Sequence, residues 1–175
     1  MNYNKPQAQT PKKKASDFVN YLKGMLGSPY WYGTFGQKAT ESLYRTKKKQ
    51  YPSYYTANDF PTQYGKKVVD CIGLLKSYMW SESVQDTHPV YQSNNMPDVS
   101  ANMFLKQCTR KGAIETMPDV PGIAVFKPGH VGYYIGDGKI IEAKGHKWGV
   151  VISDLKSRCF TNWAFIPQLD YDTEN

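Results

Sequence analysis

The sequence is poor in the residues from which metal centres and disulfide frameworks are built. Its 175 residues hold three cysteines, Cys71, Cys108 and Cys159, an odd number with no CxxC pair. That excludes a disulfide framework and a cysteine zinc site. Three histidines, His88, His130 and His146, leave little other material for a metal. No metal and no cofactor are expected. No apolar run approaches the length of a membrane span. Residues 1–14 are polar, with Pro6, Pro11 and a Lys12-Lys13-Lys14 run. No apolar core follows those charges, so a secretory leader is not visible. No repeat or second domain stands out. Acidic residues are outnumbered, and the net charge is +7. Such a surface either seeks polyanions or serves solubility.

What is present reads as one globular domain. Hydrophobic residues make up 40% and aromatics 14%, which is ample for a core. Residues 1–15 read as a flexible basic tail and 16–175 as the domain. Ser16 is placed to cap a helix from Asp17 to Met25, ended by Gly27-Ser28-Pro29. Tyr30-Trp31-Tyr32-Gly33 is a pattern that lines a groove or packs a core. Residues 37–67 are rich in Tyr and Lys, with a helix expected over 39–49. A helix follows Asp70-Cys71, with Leu74, Leu75, Tyr78 and Met79 on a buried face. Residues 81–100 read as a loop that carries His88 at the surface. Ser100 caps a further helix, with Cys108 in the core. Five strands then follow, within 122–126, 130–135, 139–143, 149–152 and 163–166. Helices first and an antiparallel meander after them make an α+β protein.

Cys71 falls at a helix start. Unpaired amides and the helix dipole there favour a thiolate, a lowered thiol pKa and the binding of an oxyanion. A lone cysteine in an apolar run is equally material for an inert core. His130 opens a strand straight after a turn, and Glu142 lies on its hairpin partner. With Gly136-Asp137-Gly138 as a three-residue loop, Glu142 sits diagonally from His130, within side-chain reach. A two-residue loop reverses the parity and turns Glu142 away. A carboxylate in reach fixes the imidazole tautomer and steadies its charge.

Cysteine at a helix start, then histidine at a strand start, then a polar residue on the next strand is the order of papain-like cysteine peptidases. The box Asp70-Cys71-Ile72-Gly73-Leu74, the stretch from Pro128 to Val151 and the segment Pro29–Gly33 closely resemble the NlpC-type cell-wall peptidases. The resemblance covers roughly residues 17–168. It implies a papain-like α+β fold, with the nucleophile helix packed on a C-terminal antiparallel sheet. It implies hydrolysis of peptidoglycan stem peptides, commonly between D-glutamate and the following diamino acid. By the same resemblance Cys71 is the nucleophile, His130 the base and Glu142 the orienting third residue. Tyr30, Trp31 and Asp70 then belong to the substrate side.

Three features depart from the family pattern. Ile72 stands where Ser is usual, Glu142 where His is frequent, and segment 37–67 is long, a candidate lid or specificity wall. The expected partner is bacterial peptidoglycan, with anionic wall polymers attracted by the net charge; no nucleic acid is expected. The expected place of action is the cell wall, reached by export or by release from the cytoplasm as a phage endolysin. An amidase cutting between muramic acid and L-alanine, and a non-catalytic wall binder, are the alternatives.

Overall fold

A computed structural model describes residues 10–172. In chain order the elements are β1 (Lys13–Lys14), α1 (Ala15–Gly24), β2 (Phe35–Lys38), α2 (Glu41–Gln50), β3 (Lys67–Val69) and α3 (Cys71–Trp80). Then come α4 (Ala101–Gln107), β4 (Lys111–Ala113), β5 (Ala124–Lys127), β6 (His130–Gly136), β7 (Lys139–Ala143), β8 (Val150–Asp154), β9 (Asn162–Ala164) and β10 (Leu169–Asp170). Six strands form one antiparallel sheet in the order β4-β9-β5-β6-β7-β8. Helices α1 and α3 cover one face of it. Phe18, Leu22, Leu74, Leu75, Phe126, Val131, Tyr133 and Ile141 meet there in the main core. A smaller cluster around Ile123, Ile140, Phe160 and Trp163 covers the opposite face. The α+β arrangement is the one expected.

Two boundaries differ from expectation. Residues 1–9 of the expected tail lie outside the described residues, but Lys13–Lys14 pairs in parallel with Leu169–Asp170. The domain therefore begins before residue 16. The chain passes straight from that strand into α1, so Lys14 holds the N-cap position and Ser16 falls inside the first turn. Ser100, expected as a cap, does cap α4, and Asp70 caps α3. Asp70 accepts from the Gly73 amide, and Ser100 accepts from the Met103 amide.

Helix α3 is buried on every side, not on one face, with Lys76 and Ser77 enclosed as well. A helix that is covered all round tolerates polar residues only when they find partners. Lys76 bonds Asp98 at 2.6 Å, and Ser77 pairs with the Tyr21 hydroxyl at 2.5 Å. Gly73 is required by the closeness of its neighbour: a Cβ there would stand 1.9 Å from the Thr34 carbonyl oxygen.

The β6–β7 hairpin decides where Glu142 points. Its loop is two residues, Asp137-Gly138, both at positive φ, because Gly136 already pairs with Lys139. A loop of that length was expected to turn Glu142 away. A bulge between Tyr134 and Gly136 adds one residue to β6 and reverses the parity again. Tyr133 faces Ile141, and Glu142 comes onto the side of His130.

Candidate active site

Cys71 is the first residue of α3 and lines an open cleft of about 400 Å³. The Asp70 carboxylate assembles this end of the helix. One oxygen accepts from the Gly73 amide at 2.7 Å and the other from the Gly33 amide at 2.8 Å. The Asp70 amide in turn donates to the Thr34 carbonyl. The glycine segment before β2 is thereby clamped against α3.

The backbone amides of Val131, Ile72 and Cys71 lie near the sulfur and favour its thiolate. Val131 follows His130 on β6, so the strand that carries the imidazole abuts the thiol. The expected lowering of the thiol pKa does not occur. Burial, joined by the adjacent Asp70 charge, pushes Cys71 up to about 12. Three amides do not offset the loss of water around a thiolate.

His130 Nε2 meets Glu142 Oε2 at 2.6 Å. Glu142 is fully buried, yet its pKa falls to about 2, because hydrogen bonds from His130, Arg158 and Ser153 outweigh the desolvation. Ser153 Oγ donates at 2.8 Å, and Arg158 grips both carboxylate oxygens, through Nε on Oε1 and through Nη2 on Oε2. An ionised Glu142 can only accept, so Nε2 carries a proton and Nδ1 is the ring nitrogen left for another partner. The imidazole also stacks on Phe160, with ring centroids 5.9 Å apart.

Arg158 and Ser153 were missed from the sequence. Their signal is Glu142 itself. A carboxylate between Ile141 and Ala143 on a central strand needs donors from its neighbours, and the next strand and turn hold both.

The aromatic segment divides. A bridge between Tyr30 and Val69 runs it as an extended chain, which sends successive side chains to opposite sides. Tyr30 packs against the main core near Cys71 and Asp70; burial and those two groups raise its phenol pKa. Tyr32 lines the cleft and stacks on Tyr54 at 3.7 Å. Trp31, expected on the substrate side, is fully buried and points the other way. It centres a third cluster with Tyr55, Phe60 and Val68, and donates to Gln63 at 2.6 Å. A side chain without exposure cannot touch substrate, so Trp31 is a core residue.

That third cluster is what segment 37–67 is built on. Its outer part supplies Lys47 and Tyr51 to the cleft. His146 pins it from the far side, stacked on Phe60 and bonded to Asp59. His88 is exposed and Cys108 buried, as expected. Among the described residues, no group of three His, Cys, Asp or Glu could hold a metal, and no helix is long and apolar enough to cross a membrane.

No protein-family profile matches the chain, and no curated protein matches it. Solved structures do. The peptidoglycan hydrolase RipB of Mycobacterium tuberculosis aligns over 98% of this chain and 75% of its own, with 20% identity and a TM-score of 0.53. The NlpC/p60 domain of the peptidoglycan hydrolase SagA aligns over 87% of this chain and 98% of its own, with 11% identity and a TM-score of 0.49. NlpC2 of Trichomonas vaginalis aligns over 89% and 50%, with 19% identity and a TM-score of 0.48. The chain shares the fold of RipB across almost its whole length.

Proposed function

We propose that this protein is a cysteine endopeptidase that hydrolyses peptidoglycan stem peptides, between D-glutamate and the diamino acid that follows. Cys71 is the nucleophile, His130 the base and Glu142 the residue that orients it. One observation carries the reading: a cleft-lining thiol at a helix start lies beside the strand whose first residue is a histidine, and that ring is tied to a buried, ionised carboxylate. The fold held in common with a peptidoglycan hydrolase supports the substrate class.

With its pKa raised to about 12, Cys71 rests as a neutral thiol. Proton transfer to His130 Nδ1 therefore accompanies the attack of sulfur on the peptide carbonyl. The oxyanion forms beside the amides of Cys71 and Ile72 at the helix start. Collapse expels the amine, which takes the proton from the imidazolium and leaves a thioester on Cys71. Water, deprotonated by His130, releases the acid. Glu142 stays ionised throughout and steadies the imidazolium.

Digestion of purified peptidoglycan, with fragments weighed and Cys71→Ala as control, tests the proposal. The expected product carries a new D-glutamate carboxyl. A new L-alanine amine instead would mean amidase activity. Equal release by wild type and Cys71→Ala, or none by either, would end the cysteine-hydrolase reading.

The cell wall is the proposed place of action. A net charge of +7 supports retention by anionic wall polymers. Raising salt from about 0.01 M to 0.15 M shortens the screening length from about 30 Å to 8 Å. It is expected to slow hydrolysis of whole walls more than that of small soluble peptides. Equal slowing would remove the charge from the argument.

A further inference from the structure

The last turn of α2 carries Lys47, Lys48 and Lys49. Lys48 and Lys49 stay exposed; Lys47 turns into the cleft that holds Cys71. Partial burial there lowers its pKa, although the charges of Asp70 and Asp98 oppose that. Among the described residues its ammonium has neither hydrogen bond nor ion pair, and its near neighbour is the Tyr51 ring, 5.9 Å away.

The two carboxylates around it are already engaged. Asp70 accepts from the Gly33 and Gly73 amides. Asp98 accepts from Lys76 Nζ at 2.6 Å and from the Tyr91 hydroxyl at 2.7 Å. A cation drawn partly out of water and left unpaired is an unfavourable state. An anion entering the cleft would relieve it. Segment 37–67 thus does more than wall the cleft: it brings one unpaired positive charge to it.

We infer that Lys47 is a specificity residue of this cleft, whose ammonium binds a carboxylate on the substrate residue that donates the scissile carbonyl. The inference rests on the peptidase reading above. D-Glutamate joined to its successor through the side-chain carbonyl keeps its α-carboxylate free. That group lies on the same residue as the bond under attack, within reach of a second contact in one small cleft. Its carboxamide counterpart has the same shape and no charge. An ammonium separates the two by charge alone, and a charge-assisted bond that is partly desolvated does so strongly.

The test uses two soluble stem peptides, identical except for carboxylate or carboxamide on that glutamate. kcat/KM is measured for both with wild type, Lys47→Gln and Lys47→Arg. Binding of both to Cys71→Ala, and to Cys71→Ala with Lys47→Gln, is measured by calorimetry. Wild type is expected to favour the acid peptide by about ten-fold or more. Lys47→Gln is expected to bring that ratio close to one, mainly by losing the acid peptide, and Lys47→Arg to keep part of it. Equal use of both peptides by wild type, or an unaltered ratio in Lys47→Gln, overturns the inference and leaves the peptidase reading intact. If wild type cuts neither peptide while Cys71→Ala binds the acid one better through Lys47, the carboxylate site stands and the peptidase reading falls. Equal binding of both peptides removes the site.

Discussion

Asp70 and Glu142 are both buried carboxylates serving one candidate site, and their acidities move in opposite directions. Asp70 holds the Cys71 side; burial raises its pKa, and two neutral amides with the charges of Lys76 and Lys47 only moderate the rise. Glu142 holds the histidine side and is buried too, yet it falls to about 2. Much of the difference lies in the donors. Glu142 has a guanidinium on both oxygens, a hydroxyl and an imidazole; Asp70 has two peptide groups. Burial alone does not set the charge state of a group. On the Asp70 side the nearby negative charge helps to keep Cys71 protonated. On the Glu142 side the carboxylate charge is fixed against the imidazole.

Removing Arg158 is the most direct way to break the contrast. Arg158→Met leaves Glu142 buried with its guanidinium partner gone. Breaking a buried pair in this way costs about 3 kcal/mol or more. Denaturant unfolding of the variant is expected to show that loss, with hydrolysis falling too as the imidazole loses its fixed partner. A loss under about 1 kcal/mol would mean that Ser153 and His130 suffice to hold the charge.

Acid titration of stability comes next in size. The folded pKa of Glu142 lies below its ordinary 4.5. The stability it contributes is therefore fully present above pH 4.5 and is lost as pH falls toward 2. Glu142→Gln has nothing to titrate. Its unfolding free energy is expected to lie below wild type at neutral pH and to approach it in acid. Parallel curves over that range would show that Glu142 is not the group that titrates.

Much of this site could be read from residue order alone, because it depends on local chemistry. Asp70 before Cys71 and an apolar run marks a capped helix start whatever surrounds it. Ser100 marked α4 in the same way. The hairpin register was half legible. Gly136, Asp137 and Gly138 announce a tight turn, but a bulge of one residue decides which face Glu142 takes, and no composition rule places it. What could not be read are properties set by distant chain. Trp31 is core because Tyr55, Phe60 and Gln63 fold back onto it. The Cys71 pKa follows from how closely β6 and the Gly33 segment cover it. A helix start argues for a thiolate, but the depth of burial reverses the sign.

The smallest expected effect falls on the Asp70 side. Asn caps helices about as well as Asp, and an amide oxygen can still accept from Gly73. The other side-chain atom becomes an NH2 that faces the Gly33 amide, so Asp70→Asn is expected to cost about 1–3 kcal/mol of unfolding free energy. Its effect on Cys71 is different in kind. With the adjacent charge removed, the thiol pKa drops, and more thiolate is present at any fixed, mildly alkaline pH. Iodoacetamide modification of Cys71, followed by mass analysis of its peptide, is expected to quicken by up to about ten-fold, the value of one pKa unit. Cys108, raised by burial on another helix, serves as the internal reference and is expected to hold its rate. If Cys71 and Cys108 quicken together, the substitution has loosened the fold. If neither moves, burial alone keeps the thiol protonated, and Asp70 acts only as the clamp that joins Gly33 to α3.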